Sequence, residues 1–413
     1  VSRAVLGVSF FSSLLQAIKI QRGNRYTNIF FIGIIIGIVV MYPLLGVTGL
    51  AIGVVIGAIL HLAIQIPTLV QIGFLPRFTT AISFSELASI VKTSIPRTIG
   101  LSMSSFTALM LTSIASTLDT GSISIFNLTN NMLNVPIGVV AISYSVASFP
   151  MLVKYFYDKE REKFAEYIFH ATRKIIFWSV PITVLFVILR AQIVRVILGS
   201  HSFTWNDTRL AAACLALFMI GLVAQSLVHL FVRGYYAAGN TKKPLLMNFL
   251  GEILTIGLAF VFIAMFNYLP EFTHFFTSVL RLDGVTNITL LALPLAFSIG
   301  NIFNYFTLVA VFKKDFPESN AFPIIRSTLQ TITASLCMGV VVYGFLNLSA
   351  TYVNQDRFWG IFSQGLLSGV VGIVVFVIVM TLFKNQDMDD FLGTFKKKFW
   401  KANVIIDQSA IDN

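Results

Sequence analysis

GSISIFNLTNNMLNVPIGVVAISYSVASFPMLV, residues 121–153, decides how the whole chain is read. It is long and apolar enough to cross a bilayer as a helix, which takes about 20 residues. Its first half nevertheless holds four amides, Asn127, Asn130, Asn131 and Asn134. The spacing i, i+3, i+4, i+7 sets all four on one helical face. Gly138, Ala141, Ser145 and Ser148 continue that face, while Val135, Val139, Ile142 and Val146 point elsewhere. An amide without a partner in hydrocarbon is costly, so the row is expected to meet other helices or a wet cavity rather than lipid. Pro136 frees a backbone carbonyl and is expected to kink the helix beside the polar row. Interhelical packing through amides and small residues is the plainer reading. Four aligned amides beside a proline favour a solvated, substrate-facing surface.

Composition places this stretch in a polytopic membrane protein. The chain has 413 residues, 56% hydrophobic and 11% charged, with a mean hydropathy of +0.83. A soluble domain carries about 25% charged residues. The apolar runs are continuous rather than alternating, which selects helices over a barrel. About eleven spans are expected, roughly 4–20, 28–45, 47–71, 97–118, 125–153, 174–194, 209–233, 244–268, 286–312, 325–348 and 358–383. Cys214 and Cys337 sit in separate apolar runs without metal or redox spacing and read as small core residues.

The formal charge of +11 does not point to nucleic acid, because of where it lies. With Val1 outside and the spans alternating, the outer side keeps only Arg3, Arg190, Arg195, Arg209, Arg281 and Arg357 of the 29 basic residues. That asymmetry follows the positive-inside rule and puts the C-terminus in the cytoplasm. Gly73 to Thr93, with Arg77 and Glu86, reads as a linker, and Tyr155 to Lys174 as a cytoplasmic extension of the helix before it. From Gln386 the tail aligns Phe391, Phe395 and Phe399, with Lys396, Lys397, Lys398 and Lys401 nearby. This suits a helix in the inner-leaflet interface, attracted to anionic lipids.

Ionisable groups inside a membrane are functional candidates by default. Glu252 is the one acid well inside a span, four residues after Asn248 on the same face, and the two are candidates for ion coupling. His61 and His229 read as packing residues. Thr98, Ser102, Ser105, Thr112 and Ser116 mark one side of the span before the asparagine row, and Ser298, Asn301 and Asn304 do so in 286–312. Several helices are thus expected to turn polar faces to a shared interior. A membrane enzyme would need paired carboxylates, a metal cluster or a nucleophile with its base, and the spans do not supply them. Translocation needs only a wet cavity and two conformations.

Four stretches together resemble the MurJ/MviN family of lipid II flippases. Residues 121–150, with Pro136, Gly138 and the closing Pro150, are similar to the family's eighth helix. RGYYAAGNTKKP, residues 233–244, resembles its connection between helices ten and eleven. GLAIGVVIGAILHLAIQIPTL, residues 49–69, is similar to the sixth helix, and FSSLLQAIKIQRGNRY, residues 11–26, to the end of the fourth and the loop after it.

The resemblance implies an all-α polytopic membrane fold with two six-helix bundles and an extra C-terminal pair. The family has fourteen helices, so the first three are expected to be missing ahead of Val1. Residues 1–72 would be the remainder of the first bundle, 73–95 a cytoplasmic linker, 96–320 the second bundle, and 321–413 the added pair with its basic amphipathic tail. The implied activity is flipping lipid II, or another polyprenyl-linked glycan, across the bacterial cytoplasmic membrane by alternating access. The alternative is a non-transporting scaffold relative. The expected partners are that lipid-linked glycan and anionic membrane lipids, with no nucleic acid, for a monomeric chain. No cofactor is expected; sodium or protons are the coupling-ion candidates. Asn127, Asn130, Asn131, Asn134, Ser102, Ser105 and Asn301 are the expected cavity residues. Where the family commonly places an arginine in a D-R-x-x-E-like pattern, this chain has Asn130, Asn131 and Asn134. In the eleventh helix, Thr255 and Ala259 stand where some members carry polar residues.

Overall fold

The computed structural model describes residues 31–71, 84–199, 203–317, 322–352 and 358–400, and each regular element among them is a helix. Two compact units divide the chain, residues 1–87 and 88–413, and each is taken by itself. The expected span 4–20 lies outside the described residues.

In the first unit, α1 (Phe31–Leu45) and α2 (Val47–Gln71) form a hairpin. It turns at Gly46, whose φ of 59° suits only a residue without a Cβ. Gly33 and Gly37 on α1 face Gly57 and Gly53 on α2, so the backbones touch directly. A Cβ on Gly37 would sit 2.7 Å from the Gly53 Cα. In lipid, where no hydrophobic effect drives helices together, such close small-residue contact supplies the packing energy.

The second unit holds α3 (Phe84–Ser116, from residue 88), α4 (Ser122–Tyr157), α5 (Arg161–Ile188), α6 (Arg190–Leu198), α7 (Trp205–Ile220), α8 (Leu222–Ala237) and α9 (Lys242–Tyr268). After these come α10 (Pro270–Leu280), α11 (Ile288–Asp315), α12 (Phe322–Ala350), α13 (Phe358–Leu382) and α14 (Gln386–Trp400). Among the described residues seven helices are long and apolar enough to span a membrane, or eight with α7 and α8 as one bent span. This corrects the expected count of about eleven. α1 is one of the shorter apolar helices, and the expected span 97–118 overlaps α3, which ends at Ser116.

Three further expectations change. The span 209–233 is broken, bending by 43° at Gly221. There Ser298 of α11 donates to the Leu217 carbonyl at 2.6 Å, and a Cβ on Gly221 would meet the Ser298 hydroxyl at 2.9 Å. The hydroxyl therefore occupies the break and satisfies a carbonyl that it exposes. The charged stretch after Tyr155 extends the helix that follows, not the one before. α4 ends at Tyr157, Lys159 turns the chain with a φ of 59°, and α5 begins at Arg161. Cys214 is buried, but Cys337 is exposed on α12.

α5 is the spine of this unit. Phe164, Ile168 and Ile175 pack against Phe231 of α8 and Phe312 of α11. Phe177 meets the α12–α13 pair through Met338 and Phe376. α9 and α11 lie closest. A Cβ on Gly300 would reach the Thr255 Cβ at 2.9 Å, and one on Gly251 the Asn304 Cβ at 2.8 Å.

The start of α14 is not a free interfacial helix, as its sequence suggests. Its Asp387 is buried, 2.9 Å from Arg173 Nε and 3.0 Å from Lys174 Nζ of α5, and it accepts a hydrogen bond from Ser327 of α12 at 3.0 Å. Lys174 also reaches Asp390 at 2.8 Å, and that hydrogen bond holds the Asp390 carboxyl below its usual value. Phe391 packs edge-on against Trp178, centroids 5.1 Å apart. The acidic first turn binds protein because α5 offers two cations there. The side chains of Phe395, Lys396, Lys397, Lys398 and Phe399 lie outside the described set, as does Lys401.

Gly300→Leu should wedge α9 from α11 and cost about 1–3 kcal/mol, read as a lower unfolding midpoint in detergent. Gly257→Ala, which meets open space, should not lower it; equal losses in the two would contradict the contact. In the same assay Asp387→Asn should cost about 3–5 kcal/mol by leaving the α5 cations uncompensated.

Candidate functional site

α4 is one continuous helix with a wider turn inside it. The α-helical part runs to Pro136, a π-helical turn covers Ile137–Ile142, and α-helix resumes at Ser143. Proline cannot donate to the preceding turn, and the chain absorbs the defect by widening rather than breaking. A wider turn shifts the angular register of everything after it, so one stripe cannot be followed through by i+3 and i+4 steps.

The asparagine row lies before that turn and is itself unevenly covered. Asn131 and Asn134 are exposed, while Asn127 and Asn130 are half-buried. Ala141 within the π turn, and Ser145 and Ser148 below it, are buried in protein. Val135 and Val139, expected to point away from the amides, are exposed beside them at 63% and 67%. The expected continuous stripe is thus two segments: open amides above the turn, and small residues sealed into the core within and below it.

α3 is the neighbour that gathers the upper polar groups. Thr112 donates to the Asn127 Oδ1 at 3.4 Å and to its own Ala108 carbonyl at 2.8 Å. Thr98, Ser102, Ser105 and Ser116 are exposed on α3. Glu252 of α9 is half-buried, with its carboxyl beside Thr107 of α3, whose hydroxyl is buried. α3 therefore links the asparagine helix to the intramembrane acid.

The other expected polar positions serve packing. Asn304 donates to the Asn248 Oδ1 at 3.1 Å, so Asn248 bridges to α11. Asn301 donates to the Phe297 carbonyl of its own helix at 2.9 Å, and Ser298 bridges to α7. Asn248, Ser298 and Asn304 tie helices together, and only part of the expected shared interior is gathered.

Sequence reasoning passed over Arg233. Counted there as a loop cation, it lies at the end of α8 and donates from Nη1 to the Ile142 carbonyl at 3.3 Å. A guanidinium thus sits at the carbonyl that closes the π turn. Its place at the head of residues 233–244 was the available signal. Farther along that stretch, Tyr235 donates to Asp315 Oδ2 at 2.9 Å and Lys243 pairs with the other oxygen of Asp315. This stretch thereby fixes the α8–α9 connection to the end of α11. Among the described residues no group of three or more His, Cys, Asp or Glu could hold a metal ion.

A family profile described as "Lipid II flippase MurJ" matches residues 5–363. A "Probable lipid II flippase MurJ" from Bdellovibrio bacteriovorus is 28% identical over 211 residues, covering 51% of this chain and 40% of its own length. One from Vibrio cholerae is 24% identical over 328 residues, covering 79% and 58%. The chain thus spans roughly half the length of these relatives. A solved structure titled "Lipid II flippase MurJ, inward closed conformation" superposes with a TM-score of 0.63 at 23% identity, over 87% of this chain and 66% of that one. That likeness establishes the all-α polytopic membrane fold.

Cysteines placed singly along α4, in a background lacking Cys214 and Cys337, should separate the two segments. A membrane-impermeant thiol reagent should label positions 131 and 134 and spare 141, 145 and 148. Equal labelling of both sets would show that the π turn does not divide the face.

Proposed function

Because the chain belongs to the lipid II flippase MurJ family, we propose that it carries the headgroup of lipid II across the bacterial cytoplasmic membrane while the polyprenyl tail stays in hydrocarbon. The observation that carries this reading is the pair of open amides, Asn131 and Asn134, in mid-helix above a π turn. Amides facing lipid would be costly, so this face belongs to a wet passage.

The chemistry of the headgroup suits these groups. Pyrophosphate offers only acceptors, and sugars and peptide offer both donors and acceptors. An amide Nδ2 donates to the first, and its Oδ1 accepts from the second. Where the family commonly has an arginine, Asn131 brings no charge, and Arg233 below it is the nearest full cation that α4 touches. A site of neutral donors holds a dianion more weakly than a bidentate guanidinium clamp and so releases it more readily. The π turn is the place where α4 can change register between two states without losing its hydrogen bonds to water.

The rest of the reading follows the same frame. Residues 1–72 belong to the first bundle, 73–95 to the linker, 96–320 to the second bundle and 321–413 to the added pair. The basic connections face the cytoplasm together with the C-terminus. Glu252 is the coupling acid, taking up a proton or sodium as the cavity changes sides. The protein works as a monomer among anionic lipids.

The test uses the full-length protein in proteoliposomes with fluorescent lipid II and a membrane-impermeant quencher. Flipping should exceed that of empty vesicles. Asn131→Leu should slow it about tenfold, the worth of one hydrogen bond to a charged group, at an unchanged unfolding midpoint. Asn131→Arg should be tolerated. Flipping no faster than in empty vesicles would overturn the proposal, and transport of a different polyprenyl-linked glycan in its place would reassign the substrate.

A further inference from the structure

The clamp that holds α14 to α5 leaves a cleft beside it. The cleft measures about 970 Å³ and is bounded by Arg173 of α5, by Ile325, Arg326 and Leu329 of α12, and by Phe383 and Lys384 at the α13–α14 turn. Three of these residues are cations, and no carboxylate lines the cleft among the described residues. Arg173 is committed to Asp387 and Gln386. Asp387 is in turn saturated by Arg173, Lys174 and Ser327, so it cannot serve as counter-ion to anything else. Arg326 and Lys384 make no ion pair among the described residues. Lys384 is moreover held at a φ of 49°, a conformation that a lysine adopts only at some cost.

The walls add a second requirement. Ile325, Leu329 and Phe383 give the cleft an apolar side, and Ile325 and Leu329 are exposed. From them an exposed row continues along α12 through Ile332 and Leu336, at i, i+4, i+7 and i+11, into the spanning part of the helix. A free inorganic anion would satisfy the cations and leave this track unused. A neutral lipid would use the track and leave the cations unmatched.

We propose that this cleft binds one membrane phospholipid with an anionic headgroup, its phosphodiester between Arg326 and Lys384 and an acyl chain along Ile325, Leu329, Ile332 and Leu336. The site is separate from the open amides of α4 and does not depend on what the protein transports. Occupied, it bridges α12 to the α13–α14 turn and supports the seat of α14 on α5.

The experiment is native mass spectrometry of the full-length protein released from detergent, titrated with phosphatidylglycerol or phosphatidylcholine. Phosphatidylglycerol should bind preferentially. Arg326→Gln combined with Lys384→Gln should weaken that binding about 30-fold, as expected for two cations at a membrane surface, and abolish the preference over phosphatidylcholine. Lys154→Gln, an exposed cation away from the cleft, should change neither. Arg326→Lys with Lys384→Arg keeps the charges and should retain phosphatidylglycerol, which separates lost binding from lost folding. Equal binding of the two lipids, or loss of phosphatidylglycerol from the charge-preserving variant, would overturn the site. Displacement of phosphatidylglycerol by millimolar inorganic phosphate would also overturn it, by showing a site for free anions.

Discussion

A polar atom inside a bilayer must find a partner within the protein or line water, and that constraint arranges the second unit. The Ser298 hydroxyl reaches across to the Leu217 carbonyl where α7 gives way to α8, so that carbonyl is satisfied at the bend at Gly221. Asn304 and Asn248 satisfy one another between α11 and α9, and Gly251 makes the room for it. Each polar contact depends on a glycine that lets two backbones approach. Removing either the polar group or the space for it disturbs the same helix pair.

α4 meets the constraint in two ways along one helix. Below the π turn, Ser145 and Ser148 are sealed into protein, and Ser145 returns its hydroxyl to the Ala141 carbonyl at 2.6 Å. Above it, Asn131 and Asn134 remain open. Pro136 stands at the boundary between the two. The guanidinium of Arg233 meets the carbonyl of Ile142 at the end of the turn, so the defect is supported rather than merely tolerated. Charge is handled likewise at the α5–α14 junction. Two cations share a buried carboxylate there, while two others are left facing a cleft without an acid. A closed charge network holds a helix in place; an open one beside an apolar wall is available to a ligand.

Much was legible in the residues alone. Long apolar runs with few charges set an all-α membrane fold, because only helices satisfy their own backbone in lipid without closing a barrel. The span boundaries near 47–71, 244–268, 325–348 and 358–383 came within a few residues of the helices. The four asparagines were legible as one face of one helix. What lay opposite that face was not, since periodicity reports which residues share a side and never what stands across from it. Asn248 and Glu252 share a face by spacing, yet one meets α11 and the other α3.

The tertiary structure alone decided how the π turn is supported, the break at Gly221, the docking of α14 and the position of Arg233. Each arises from a contact between segments far apart in sequence: Ile142 with Arg233, Ser298 with Leu217, Asp387 with Arg173. Local pattern fixed the helices and their polar faces because hydrophobicity and backbone hydrogen bonding act within a segment. Which amides stay open, and which cations keep a free charge, depends on the helices that happen to pack alongside.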